Sequence, residues 1–324
     1  MEMEDLYLTF IRLKDEKGKE GTYKAARISE NMPHKIGATD DGHPMFFIEC
    51  ADNQRLSDIK LERFKVLFNR QCLVQDVDEK ETLAHNYSVI FMNSNNSDLQ
   101  RYFFQVVYLV LERLPLRPKT ETLKVEISKI IELFTAPPKF SKEVVRGLWA
   151  ELLVIERGNN PEYLLKSWHE DIVDKYDFND SIDKVEVKST AGAIRSHVFA
   201  LEQLIPNTNS HLLVASIFVN QVGIGKNIFD LLDSICLKVA DPDLQIKVKE
   251  LTYKTIGPHV EESAKLRFDY KNACDTYLLY NYKDIPSIPL NSIPIEVSSV
   301  HFKVDLSNTK PYDSSYQSKL FESL

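Results

Sequence analysis

The stretch Tyr176–Thr190, YDFNDSIDKVEVKST, decides how the rest of the chain is read. It holds an aspartate, a turn-forming Asn-Asp-Ser and then Val-Glu-Val-Lys, in which charged and apolar residues alternate. A strand period of two puts Glu186 and Lys188 on one face and Val185 and Val187 on the other. Asn179–Ser181 carries turn chemistry, so the segment is expected to fold back as a hairpin that brings Asp177, nine residues upstream, beside Glu186. Two carboxylates ~4 Å apart repel by about 4 kcal/mol at an effective dielectric near ~20. Such a pair is tolerable if one is protonated, if both reach water, or if a divalent cation bridges them. Mg2+ is usually held this way, by one or two carboxylates with water and substrate phosphate completing its shell. A lysine beside the ion can orient or help deprotonate an attacking water, or stabilise charge developing on phosphorus.

The plainer alternative is a surface hairpin whose exposed ion pairs are worth ~0–1 kcal/mol. An acidic residue two positions before a lysine occurs five times, at Asp15, Asp58, Asp78, Glu186 and Asp269, so the triplet alone decides nothing. The upstream helix adds weight. On a helical wheel of Val144–Ile155, Glu151 falls between Val144, Leu148 and Ile155, on the side expected to face the core. An ionised glutamate in an apolar stripe is costly unless something satisfies it, and a metal-site hairpin does so. Glu156 also projects toward that arc, where the helix is ending.

Outward from this stretch, residues 1–97 read as a β-rich lobe. YLTFIRL, PMFFIEC, FNRQCLVQDV and HNYSVIFMN have strand composition, and ATDDGHP is a turn signal. Leu99–Leu114 and Glu121–Phe134 are helical by length and period, and Ser141 is placed to cap a helix running to about Glu156. Pro161 can start a short helix reaching Trp168. After the hairpin, SHLLVASIFVN reads as a buried strand, KNIFDLLDSICLKVA and DLQIKVKELTYKTIG as helices, and KLRFDYK, TYLLYNY and VSSVHFKVDL as strands. This alternation predicts an α/β core behind a β-rich lobe. The expected domains are 1–97, a helical lead-in with the core at 98–240, and a carboxy-terminal α/β extension at 241–324.

At 324 residues the chain exceeds what one hydrophobic core organises. Its net charge of −8 argues against a generally basic surface, though a local patch suffices for nucleic acid. The four cysteines are scattered and read as thiols of a reducing cytoplasm. The longest apolar run, YFFQVVYLVL, is too short to span a membrane.

GLWAELLVIE (Gly147–Glu156), Trp168, YDF (Tyr176–Phe178), VEVKST (Val185–Thr190) and EQL (Glu202–Leu204) follow one another in the order seen in the PD-(D/E)XK nuclease superfamily, which the chain resembles. More closely, it resembles a bacterial PD-(D/E)XK-motif family found among phage-defence genes, over most of its length and including the closing HFKVDL. The resemblance implies a restriction-endonuclease-like core, a mixed central sheet flanked by helices. It implies Asp177 and Glu186 as metal-binding carboxylates, Lys188 as catalytic lysine, Glu151 as the acidic residue from the preceding helix and third ligand, and Gln203 as a polar residue completing the site. The implied activity is a Mg2+-dependent DNA endonuclease, with Mn2+ as a substitute. It would serve restriction or phage defence in the cytoplasm, beside operon-encoded partners such as an ATPase. The alternative is a non-catalytic DNA-binding or scaffolding subunit that keeps the fold. Two departures stand out: Tyr176 replaces the motif's proline, and Ala150 stands where glycine is more usual.

Other motifs carry less. KLRFDYK would put Arg267, Asp269 and Lys271 on one strand face, without an upstream aspartate at hairpin distance. NQVGIGKN lacks both the first glycine and the Ser/Thr of a phosphate loop and reads as a turn before a helix. HEDIV (His169–Val173) lacks the second histidine of a zinc-protease helix, and the histidines show no ligand spacing. Lys142 and Arg146, with Arg195 and His197, are candidate phosphate contacts.

Overall fold

The computed structural model describes residues 3–15, 21–61, 63–77, 82–135, 139–169, 174–207, 209–313 and 316–324. They fall into two compact units, Met1–Pro138 and Lys139–Leu324. The sequence expectation drew its divisions at 97/98 and 240/241, whereas the compact units meet at 138/139. The helices before residue 135 belong with the amino-terminal strands, and residues 241–324 belong with the core.

In the first unit, helix α1 (Met3–Asp15) precedes strands β1 (Tyr23–Ser29), β2 (Met32–Ala38), β3 (Pro44–Ile48), β4 (Ile59–Lys60), β5 (Phe64–Asp76) and β6 (Thr82–Met92). Helices α2 (Ser97–Arg113) and α3 (Thr120–Thr135) follow. The strand order β1-β2-β3-β6-β5 closes on itself, because β1 also pairs in parallel with the far end of β5, Tyr23 opposite Val74 and Ala25 opposite Asp76. The short β4 adds to the near end of β5. The result is a five-stranded barrel with no exposed edge along that seam.

Closure demands that β5 bend. Its register shifts between Leu67 and Arg70, at Asn69, which has φ 46°. The Asn69 amide anchors this bulge by donating to Asp52 O, Gln54 O and Thr120 Oγ1. The run Met45-Phe46-Phe47-Ile48 is apolar throughout because both faces of β3 are covered. Phe47 packs with Ala25, Met45, Val74, Tyr87 and Val89. Phe46 meets Phe103 and Phe104 of α2, and Phe104 meets Phe10 of α1.

YLTFIRL is therefore helix, not strand. Leu6, Phe10 and Leu13 are buried at three- and four-residue spacing, a helical period that overrides the strand-like composition.

In the second unit, α4 (Lys142–Arg157) is capped by Ser141, whose Oγ accepts from Val144 N. Next come α5 (Pro161–Ser167), β7 (Phe178–Asn179), β8 (Asp183–Thr190), β9 (Ser196–Ala200), a 3-10 turn (Leu201–Leu204), β10 (His211–Phe218) and β11 (Gln221–Lys226). They are followed by α6 (Ile228–Lys238), α7 (Pro242–Ile256), α8 (Val260–Lys265), α9 (Tyr270–Thr276), β12 (Leu278–Asn281), β13 (His301–Asp305) and α10 (Lys319–Ser323). The sheet order is β12-β10-β8-β7, with β8 and β10 parallel and the outer pairs antiparallel. Helix α4 packs on β8 and against α6 and α7. This is a mixed α/β layer of the kind expected, joined to a barrel that was not. A separate ribbon pairs β9 with β13.

Two further expectations change. KLRFDYK is not a strand: Asp269 caps α9 by accepting from Asn272 N. NQVGIGKN contains β11, bridged on both sides to Phe268. Gly225 is required there, since a Cβ would meet Phe268 O at 2.2 Å. Among the described residues no helix is long and apolar enough to cross a membrane.

Candidate active site

The hairpin forms as its turn chemistry dictates. Asn179 Oδ1 accepts from Ser181 N, and Asp180 Oδ1 accepts from Ile182 N and Asp183 N, with Ser181 at φ 75°. Phe178 pairs with Val185, and extending that antiparallel register by one residue sets Asp177 opposite Glu186. Asp177 Oδ2 accepts from Val187 N at 2.6 Å, which fixes its carboxylate against the strand.

Glu186 and Lys188 share a face, with Lys188 Nζ 2.8 Å from Glu186 Oε1. Gln203, in the turn after β9, holds the pair together. Its Nε2 donates to Glu186 Oε1 at 2.6 Å, and its Oε1 accepts from Lys188 Nζ at 3.0 Å and from Ala200 N at 3.1 Å. The ammonium also lies 5.3 Å from the centre of the Phe199 ring.

From α4, Glu151 reaches the same place. Its Oε2 accepts from Trp168 Nε1 at 2.8 Å and lies 3.1 Å from His169 Nε2. The neighbouring Leu148 is buried, but Val144 is 45% exposed, so the apolar stripe predicted for α4 opens to solvent at its first turn. Glu156, one turn past Glu151, is buried and serves elsewhere. It accepts from Ser234 Oγ, Lys238 Nζ and Tyr270 Oη. Burial alone would raise its pKa, but these three bonds outweigh it and hold the carboxyl below the usual range.

His169 is the residue that sequence reasoning missed. One atom each from Glu151, His169 and Asp177 lie within 4.8 Å of one another, a spacing that a single metal ion can span. The chain returns past itself here: His169 N donates to Asp177 O at 2.9 Å, and Trp168 bridges Phe178. The rest of HEDIV, residues 170–173, lies outside the described residues. The one usable signal was position, directly after Trp168.

Charge is unbalanced. Burial first, then repulsion from Glu186 and Glu151, pushes the Asp177 carboxyl well above its ordinary range. Burial likewise raises that of Glu186, which Lys188 pulls back down and Glu151 raises further. Glu151, His169 and Asp177 form a donor set that a dication relieves, so these residues fit such an ion, while Glu186 lies outside that group and is held by Lys188 and Gln203. Glu151, His169 and Lys188 keep side-chain exposures of 16, 11 and 18%, against 5% for Glu186, so water and substrate can reach the donors. Tyr176, in the place of the motif's proline, is buried, and its hydroxyl has no hydrogen-bond partner among the described residues.

Two candidate phosphate contacts are withdrawn from that role. Arg195 is buried and donates to Ser216 O, Ser216 Oγ and Thr276 O. His197 is buried against Ser216 Oγ, and burial, with Lys188 and Arg195 nearby, pushes its pKa down to about 4, so it stays neutral. Lys142 remains exposed and Arg146 half-buried, in the first turns of α4. Arg267 donates to Gly225 O and pairs with Asp230, a structural arrangement.

No curated protein and no solved structure matches the chain. A family model described as "Putative PD-(D/E)XK family member, (DUF4420)" matches residues 7–307, nearly the whole chain, and the chain belongs to that family.

Proposed function

We propose that this protein is a divalent-metal-dependent nuclease that hydrolyses phosphodiester bonds in DNA. The observation that carries the reading is the meeting of Glu151, His169 and Asp177 beside a Glu186–Lys188–Gln203 chain of hydrogen bonds. In this reading Glu151, Asp177 and Glu186 hold the ion, and His169 joins or braces them through Glu151. The ion is Mg2+ or Mn2+; when bound, it makes water a better nucleophile and offsets charge on the phosphate. Asp177 stays fixed by Val187 N and gives up its excess proton affinity when the ion is present. Lys188 holds its ammonium between Glu186 and Gln203, placed to orient the attacking water or to meet negative charge at the scissile phosphate. Gln203 keeps both from turning away. Membership of the family supports a nuclease-like function. Endonuclease action on DNA, a role in bacterial restriction or phage defence, and operon partners such as an ATPase belong to the proposal.

The test is supercoiled plasmid with the purified protein and Mg2+ or Mn2+, beside Lys188→Ala. Metal-dependent nicking that falls roughly 10²–10³-fold in the variant is the expected outcome. DNA binding without cleavage in either ion, equal in wild type and variant, would instead favour a non-catalytic DNA-binding or scaffolding subunit.

A further inference from the structure

Arg195 and His197 are committed inside the fold, so a polyanion at the carboxylate site needs other cations. Lys175 is one. It is exposed and stands two residues before Asp177, on the same arm of the hairpin. Its Nζ donates to Ile205 O at 2.7 Å, two residues past Gln203. The side chain therefore crosses from the Asp177 arm to the turn that carries Gln203. Consecutive α-carbons are ~3.8 Å apart, so the α-carbon at each end of this crossing lies within about 7.6 Å of that of a site residue.

The ammonium also lies 4.9 Å from the centre of the Tyr176 ring, which is buried. Burial first, then Glu186 and Tyr282, raises the Tyr176 pKa above its ordinary value, so both residues are its neighbours. Tyr282 repeats the arrangement. It packs against the cluster that holds Phe199 and Leu204, and Lys283 Nζ lies 5.8 Å from its ring centre. Phe199 is the ring that faces Lys188, and Leu204 directly follows Gln203. Two exposed lysines, each over the ring of the adjacent tyrosine, thus border the Gln203 turn.

Their chemistry differs from that of Lys188, which is only 18% exposed and is spent on Glu186 and Gln203. An ammonium has three N–H donors. Lys175 uses one on Ile205 O, and among the described residues neither it nor Lys283 has a carboxylate within ion-pair distance. Burial lowers the pKa of Lys175, and the pull of Glu202 from longer range opposes that. A cation already ordered over a ring, with donors to spare, loses little freedom when an anion arrives. We propose that Lys175 and Lys283 are substrate-binding residues, each holding a DNA backbone phosphate beside the one to be cut. This deepens the nuclease reading and rests on it. Contacts to phosphate alone set the register of DNA over Glu186 and Lys188 without selecting its sequence.

The experiment is fluorescence anisotropy on the full-length protein in EDTA, with two short duplexes of unrelated sequence over a salt series. Lys175→Gln and Lys283→Gln remove the charge and keep an N–H donor. Each should lower the slope of log affinity against log salt by about 0.9, and the double variant by about 1.8, equally for both duplexes. Lys175→Arg and Lys283→Arg should keep the wild-type slope, because charge is what the contact needs. Calorimetry without DNA should give wild-type Mn2+ affinity for every variant, whereas a mere brace on the Asp177 arm would lower it on removal. Lys283→Gln keeps the test valid if Lys175→Gln fails to fold, as judged by circular dichroism. The proposal is overturned if the wild type binds DNA and either slope is unchanged, or if Mn2+ affinity falls together with the slope. Slopes that fall as expected in a protein that cuts no DNA with Mg2+ or Mn2+ would uphold the phosphate contacts and remove the nuclease reading. No DNA binding by the wild type at any salt would remove both.

Discussion

Ionising Asp177 works against folding. Burial and the charges of Glu186 and Glu151 hold its carboxyl well above the usual range, while in the unfolded chain an aspartate titrates near ~3.9. Between those two values the folded state binds more protons, so stability falls as pH rises through the window, and above the folded pKa the whole penalty is present. Asp177→Asn removes the charge and keeps an oxygen for Val187 N. In EDTA at neutral pH the variant is expected to melt higher than wild type, by roughly 2–4 °C for each kcal/mol relieved. The gain should shrink as pH falls toward about 4. Melting curves across that range test it; a variant that melts lower than wild type at neutral pH would show that the three carboxylates are not in conflict. His169 acts on the same charge cluster from the other side. Mg2+ takes oxygen ligands, whereas an imidazole suits transition ions. His169→Ala is accordingly expected to weaken Mn2+ binding by about 10–100-fold and Mg2+ binding by less. Calorimetry without DNA reads both. Equal losses would mean that His169 only orients Glu151 through their 3.1 Å contact.

At the scale of elements, the site depends on a single 3-10 turn, Leu201–Leu204, because Gln203 spends all its hydrogen bonds on Glu186, Lys188 and Ala200. Gln203→Leu keeps much of the volume and loses those bonds, freeing two charged side chains whose geometry matters to within about an ångström. The cleavage rate should drop on the order of 10²-fold with DNA affinity unchanged. Gln203→Glu, which cannot donate to Glu186 and adds a fourth carboxylate, should be worse. Single-turnover rates beside gel-shift affinities separate the terms, and an affinity loss matching the rate loss would assign Gln203 to substrate binding instead. Legibility follows the same division into local and returning elements. Asp177, Glu186, Lys188 and Glu151 could be placed because a strand period, a turn and a helical wheel are local, and Gln203 followed from motif order. His169 could not, because its position depends on Trp168 and His169 running back alongside Asp177 and Phe178. Composition misled at YLTFIRL, where the spacing of Leu6, Phe10 and Leu13 was the better guide. Glycine misled at β11, where Gly225 is demanded by a close neighbour and not by a turn.

Across the whole molecule, the barrel was the least legible feature, since its closure joins β1 to the end of β5, some fifty residues away, by pairing that no local pattern records. The mixed α/β sheet of the second unit was legible, because buried strands and amphipathic helices alternate along it. Charge is also a property of the whole, and it constrains how DNA could be held. A total of −8 repels a polyanion at long range, and Arg195 and His197 are committed to Ser216 inside the fold. Of the cations put forward from the sequence as phosphate contacts, Lys142 and Arg146 remain, in the first turns of a sixteen-residue helix whose amino end favours phosphate. Arg146 Nε has no hydrogen-bond partner among the described residues. If these two carry the grip, it involves few phosphates, and each phosphate neutralised adds about 0.9 to the slope of log affinity against log salt. The expected slope is therefore shallow, and Lys142→Ala and Arg146→Ala should each reduce it by about 0.9 while lowering affinity alike for all sequences. Filter binding over a salt series, with metal chelated to prevent cleavage, measures this. Slopes unchanged in both variants would place DNA elsewhere on the protein, and a steep slope in the wild type would require a basic face that neither residue belongs to.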